Sequence, residues 1–177
     1  FEEMGLEAVV GNLEGEMSDA FAGCDAVVFT AGSGSGTGAD KTLLVDLWGS
    51  IRAIDIAEEH NIKFFIMVSS LKSCDPLRGP EKIRHYLVAR HCADDHLLRS
   101  RLNFNLLRPG RLLDEAASGQ FTNSFDWSDA VNAYSTISRE DVANVIVDLL
   151  QNPLPAGSTV DMISGDVSQE QFLNLYR

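Results

Sequence analysis

Five short runs of apolar, largely β-branched or aromatic residues punctuate this chain, and patterns of helical length separate most of them. Ala8-Val9-Val10 ends at Gly11, and Ala26-Val27-Val28-Phe29-Thr30 runs into the loop Ala31-Gly32-Ser33-Gly34-Ser35-Gly36. Residues 63–69 read KFFIMVS, residues 103–107 read NFNLL before Arg108-Pro109-Gly110, and residues 159–163 form the last run. Runs that are apolar on both faces suit strands covered by helices on each side. Alternation with helical patterns, expected at 40–60, 81–100, 139–151 and 168–176, builds βαβ units and a parallel sheet. The expected fold is therefore α/β, a doubly wound parallel sheet. Ser138-Arg139-Glu140-Asp141 reads as a capping box opening the third helix. Residues 111–136 have no strong period and read as an irregular insertion.

Composition narrows the function. A length of 177 residues, 45% of them hydrophobic, suits one domain with a real core spanning 1–177. Fourteen Lys and Arg against 26 Asp and Glu, a formal charge of -12, argue against nucleic acid, whose phosphates are bound by cations. No apolar run approaches the ~18–20 residues that span a bilayer, and no secretory core opens the chain, so no membrane partner is expected. Cys24, Cys74 and Cys92 match neither a disulfide framework nor a zinc site, which points to a reducing cytoplasm. The four histidines share no ligand spacing with them, and no metal is expected. Trp48 reads as a core residue.

The helix at 81–100 carries the sharpest chemical signal. Ile83, Tyr86, Arg90, Ala93 and Leu97 fall within about 80° of one another on one face. A buried guanidinium is costly without a partner. Arg90 should therefore meet a carboxylate or a polar ligand, or else snorkel to the surface with Tyr86 beside it.

Tyr86-Leu87-Val88-Ala89-Arg90 compares with Tyr-x-x-x-Lys, and around it the chain resembles the atypical short-chain dehydrogenase/reductases, near the extended-epimerase and NmrA-like branches. The resemblance runs through Gly11-Asn12-Leu13, Asp25 to Phe29, Ala31-Gly32-Ser33-Gly34, and Asp40-Lys41-Thr42 leading to Val45-Asp46-Leu47-Trp48-Gly49. It continues through Phe65 to Ser70, His85 to Ala89, Arg108-Pro109-Gly110, Ser138 to Ala143 and Ser164-Gly165-Asp166. It implies a Rossmann-like fold and hydride transfer to or from a nicotinamide. In that chemistry a Tyr is acid/base toward the substrate oxygen, a Ser holds that oxygen, and a Lys one turn on favours the phenolate and grips the ribose. By resemblance, Tyr86 is the acid/base and Ser70 the serine, with Ser69 as its substitute. Arg90 stands at the Lys position, and Asp46 matches an active-site Asp of this group or serves as a structural ion-pair partner. Arginine supplies the charge, but as a planar fork that cannot release a proton into a relay.

The resemblance also implies NADP (or NAD) as cofactor, held beyond the carboxyl ends of the strands, as open α/β sheets hold their ligands. Thr30, Ala31 and Gly32 end one strand, Val68, Ser69 and Ser70 the next, and Arg108, Pro109 and Gly110 the third. Asn12 and Leu13 match positions near the adenine. Arg111 either binds a substrate anion or crowds the site. The partner is a small-molecule substrate whose identity the sequence does not carry. The family's Gly-x-x-Gly-x-x-Gly loop occurs nowhere in the sequence, and Phe1-Glu2-Glu3-Met4-Gly5 reads as a helix tail closed by glycine. The expectation is an N-terminally incomplete Rossmann-like domain, lacking the first βαβ unit and holding the cofactor feebly or not at all. A non-catalytic, NAD(P)-binding redox-sensing regulator of the NmrA-like sort is the alternative.

Overall fold

The fold is seen in a computed structural model that describes residues 1–34, 36–124 and 135–177. In chain order it forms β1 (Ala26–Phe29), α1 (Ala39–Lys41), a π-helical segment (Thr42–Gly49), α2 (Ser50–Glu59), β2 (Phe64–Val68), α3 (Arg84–Arg99) and β3 (Phe104–Pro109). There follow β4 (Arg111–Leu113), β5 (Gln120–Thr122), β6 (Thr136–Ser138), α4 (Arg139–Gln151), β7 (Ser158–Ser164), β8 (Val167–Ser168) and α5 (Gln169–Leu173).

The main sheet has the order β1-β2-β3-β7-β5-β8, and its first four strands are parallel. β5 pairs antiparallel with β7 and β8, and β4 pairs with β6 in a small second sheet. Period-two alternation sorts the strand side chains onto two faces. Phe65, Met67, Phe104 and Leu106 pack with Ala53, Ile54, Ala57, Ala93 and Leu97 of α2 and α3. Phe64, Ile66, Val68, Leu107, Val160 and Met162 pack with Val142, Val145 and Leu149 of α4 and with Phe172 of α5. This is the doubly wound α/β arrangement expected.

Four expectations need correction. Ala8-Val9-Val10 is exposed coil, because no strand among the described residues offers it a ladder of hydrogen bonds. β1 lies at the end of the sheet order and is only partly buried, so its run is an edge and not a buried strand. Trp48 is 52% exposed and Leu43 57% exposed. The wider π turn shifts the inward face to Thr42, Asp46, Gly49 and Ser50, and carries Trp48 and Leu43 outward. Finally, the Ser138 hydroxyl does accept the Asp141 N–H at 2.9 Å, but the Asp141 carboxylate does not return to the Ser138 N–H. It accepts the backbone N–H of Ser118 at 3.0 Å and of Gly119 at 2.8 Å, tying the loop after β4 to α4. A reciprocal box exists instead at Ser168 and Gln171, opening α5.

The irregular insertion expected at 111–136 contains β4 and β5 and reaches the start of β6; residues 125–134 lie outside the described residues. Glu2–Met4 form a 3-10 turn closed by Gly5 at φ 72°, in the left-handed region that glycine favours.

Candidate active site

Two polar arrangements meet along α3 at the carboxyl ends of β1, β2 and β3. The first is buried. Asp46 is 1% exposed and Arg90 4% exposed, and Arg90 Nη2 lies 3.5 Å from Asp46 Oδ1. The same Nη2 donates to the Ala31 carbonyl at 2.8 Å, and Nη1 to Ser50 Oγ at 3.4 Å. Ser33 donates to Asp46 through its hydroxyl and, at 3.3 Å, through its N–H. The loop after β1 is therefore held by one buried ion pair. Gly32 lies in the same contact: a Cβ there would stand 3.0 Å from Asp46 Oδ1 and 3.2 Å from Arg90 Nη2. Arg90 Nε is buried without a hydrogen-bond partner, an orphan donor beside the loop that by resemblance faces the cofactor.

The second arrangement is a cleft of 610 Å³ whose lining includes Ser69, Ser70, Tyr86, Pro109, Gly110 and Arg111. This volume falls in the usual range for small-molecule sites, about 300–1,000 Å³. Tyr86 links the two arrangements, since the Arg90 guanidinium carbon lies 5.6 Å from its ring centroid. The half-buried tyrosine thus has its ring against a buried cation and also borders the cleft. Gly110 makes the far wall possible: a Cβ there would fall 2.3 Å from the Ser135 carbonyl oxygen. A second cavity of 340 Å³, lined by Glu58, Asn61, Ile62, Arg101 and Leu102, precedes β2 and β3 and so lies at the opposite, amino end of the strands.

The structure thus brings together Tyr86, Ser70, Ser69, Pro109 and Gly110 on one cleft, and Asp46, Arg90, Ala31 and Gly32 behind it. Thr30 is exposed at the end of β1, and Val68 is buried in the core on the α4 side of the sheet. Arg108 turns away: its Nε donates to Asp94 Oδ2 at 2.9 Å under α3, where the same oxygen accepts the Ser73 hydroxyl at 2.7 Å. Burial pushes the neighbouring Asp161 carboxyl above its ordinary range, with Arg108 pulling it down and Asp94 pushing it up. Asn12 closes a local turn, its Oδ1 accepting the Glu14 N–H at 3.0 Å. Leu13 packs on Gly49, whose added Cβ would meet Leu13 Cβ at 2.9 Å. Glu14 pairs with Lys41 at 2.7 Å, fastening this segment to the helix that carries Asp46.

The Asp94–Arg108 pair is the feature that sequence reasoning missed. Its signal was present, because Asp94 follows Arg90 by four residues and so shares its helix face. Among the described residues, no group of three or more His, Cys, Asp or Glu is placed to hold a metal ion. Nor is any helix among the described residues long and apolar enough to cross a membrane.

Comparison with known proteins bears on what this cleft holds. Residues 1–153 match the family model described as NAD(P)H-binding. A Bacillus subtilis protein named as an uncharacterized sugar epimerase, YhfK, is 42% identical over 168 residues, covering 93% of this chain and 76% of that protein. A Bacillus halodurans structure described provisionally as an NAD-dependent epimerase/dehydratase is 46% identical and superposes with a TM-score of 0.86 over 94% of this chain and 77% of its own. The oxidoreductase ylbE of Lactococcus lactis, 29% identical, superposes with a TM-score of 0.79 over 96% of this chain and 76% of its own.

Proposed function

Since this chain belongs to the NAD(P)H-binding family of atypical short-chain dehydrogenase/reductases, we propose that it is an NAD(P)-dependent oxidoreductase in which Tyr86 exchanges a proton with the oxygen of a small-molecule substrate. The observation that carries this reading is the placement of Tyr86 on the cleft with its ring against the buried Arg90 cation. Ala31 and Gly32, Ser69 and Ser70, and Pro109 and Gly110 would hold the cofactor along the strand ends. The orphan Arg90 Nε fits a polar ligand there. When bound, NAD(P)H supplies hydride to the substrate carbon. Tyr86 Oη would give its proton to the substrate oxygen, and Ser70 Oγ would orient that oxygen by donating a hydrogen bond. Arg90 would hold the Tyr86 ring in place from behind, without entering a proton relay. Asp46 acts through Arg90 and Ser33 as a positioning residue for the loop after β1.

Tyr86→Phe tests this with NADPH and p-nitrobenzaldehyde as hydride acceptor. General acid–base catalysis contributes about a hundredfold or more, so turnover should fall by at least that factor while NADPH affinity holds. Unchanged turnover would refute the acid/base role. The second reading, a redox-sensing regulator, draws on the engagement of both Arg90 Nη atoms by Asp46, Ala31 and Ser50, which leaves little of the fork for a ribose. A regulator would keep NADPH affinity and show no turnover in either form.

A further inference from the structure

This inference rests on the oxidoreductase reading and concerns what kind of molecule enters the cleft. Cations are a minority in this chain, 14 against 26 carboxylates. Yet among the described residues lining the cleft the charged side chains are Lys72, Arg111 and Arg139, and none is acidic. Arg111 begins β4 directly after Gly110, and its backbone N–H is fixed to the Ser135 carbonyl at 2.8 Å. Its guanidinium is exposed and has no ion-pair partner among the described residues, whereas Arg139 pairs through Nε with Asp114 at 2.8 Å. A net negative surface interrupted by a cationic recess raises the local concentration of anions in that recess. A guanidinium beside it offers a fork matched to carboxylate or phosphate oxygens. Arg111 borders the cleft alongside Tyr86 and Ser70, the residues assigned to the reacting oxygen, and lies beyond Gly110 from the strand ends assigned to the cofactor.

We infer that the substrate is an oxyanion-bearing carbonyl compound, its carboxylate or phosphate received by Arg111 while its carbonyl faces Tyr86. Three aromatic aldehydes of similar size probe this: p-carboxybenzaldehyde, p-formylphenyl phosphate and the uncharged methyl ester of the first. Binding is read by ligand-observed NMR with NADP⁺ present, which needs no turnover. At least one charged probe should bind about tenfold more tightly than the ester, equivalent to 1.4 kcal/mol. Which of the two binds better identifies the oxyanion. Arg111→Gln should abolish the preference, Arg111→Lys should keep most of it, and neither should alter NADPH affinity. Equal binding of ester and charged probes, no binding at millimolar concentration, or an Arg111→Gln variant that loses NADPH affinity instead would each overturn the inference. Charge selectivity without any NADPH oxidation would sink the hydride-transfer reading and leave this inference standing. Turnover of the ester without selectivity would do the reverse.

Discussion

Removing the charge of Asp46 should destabilise the protein by far more than an ordinary surface substitution. Arg90 Nη2 and Asp46 Oδ1 are 3.5 Å apart, and at an effective dielectric of about 20 two unit charges at that separation attract by about 5 kcal/mol. Asp46→Asn keeps the shape and leaves a buried guanidinium uncompensated, a change that costs about 3–5 kcal/mol when one partner of a buried pair is lost. The Ala31 carbonyl and Ser50 hydroxyl still accept from Arg90, so the expected loss is at the lower end, about 3 kcal/mol. For a chain of this size that is roughly 6–12 °C in Tm. Urea unfolding followed by circular dichroism measures it, with the slope against denaturant unchanged. The double variant Asp46→Leu with Arg90→Met replaces both charges by apolar groups, and it should be less destabilised than the two single losses added together. A cost for Asp46→Asn below about 1 kcal/mol, or simple additivity in the double variant, would show that the pair does not hold the loop after β1.

Asp141 and Gly110 give two further tests. Burial pushes the Asp141 carboxyl up, but this is outweighed by the N–H groups of Ser118 and Gly119 and by the hydroxyls of Ser138 and Ser118, so its proton affinity is held below the ordinary aspartate value. Such a group contributes stability above its unfolded pKa of about 3.9 and loses it as pH falls through the lower folded value. Asp141→Asn should therefore be less stable than the wild type at neutral pH in thermal melts, with the gap closing below about pH 4; a gap that persists into acid would refute the assignment. Gly110→Ala would drive a Cβ to 2.3 Å from the Ser135 carbonyl oxygen and 2.8 Å from Ile163 Cγ2. It should cost about 1–3 kcal/mol in urea unfolding, and a neutral result would mean that the cleft wall yields readily.

The sequence carried those parts of the fold that repeat a strong local pattern. The unbroken apolar run around Phe64–Val68 is β2, and of the face expected at Ile83, Tyr86, Arg90, Ala93 and Leu97 the last four form the inward and cleft-bordering side of α3, whereas Ile83 lies in the 3-10 turn before it and is 41% exposed. Strands of two or three residues, such as β4, β5, β6 and β8, are too short to show alternation and form only because a neighbour pairs with them. Ala8-Val9-Val10 shows the converse, since a strand-like run with no partner does not make a strand. Trp48, expected in the core, faces outward because a 3.6-residue period cannot foresee a π turn. Within the site, of the partners left open for Arg90, it is a carboxylate, Asp46, that lies beside it, and Tyr86, Ser70 and Gly110, singled out by resemblance, border one cleft. Of the Asp94–Arg108 pair, the sequence shows only that Asp94 shares the Arg90 face of α3; a Rossmann-type motif gives the position of Arg108 on its strand and not the direction its long side chain takes.

Amide hydrogen exchange with and without NADPH tests the central claim most directly, because it reports where the dinucleotide lies without a substrate. NADPH held along the strand ends should slow exchange at residues 31–33, at 69–71 and at 110–111, the segments at the carboxyl ends of β1, β2 and β3. Slowing confined to residues around Glu58, Asn61 and Arg101, at the amino ends of those strands, would contradict it.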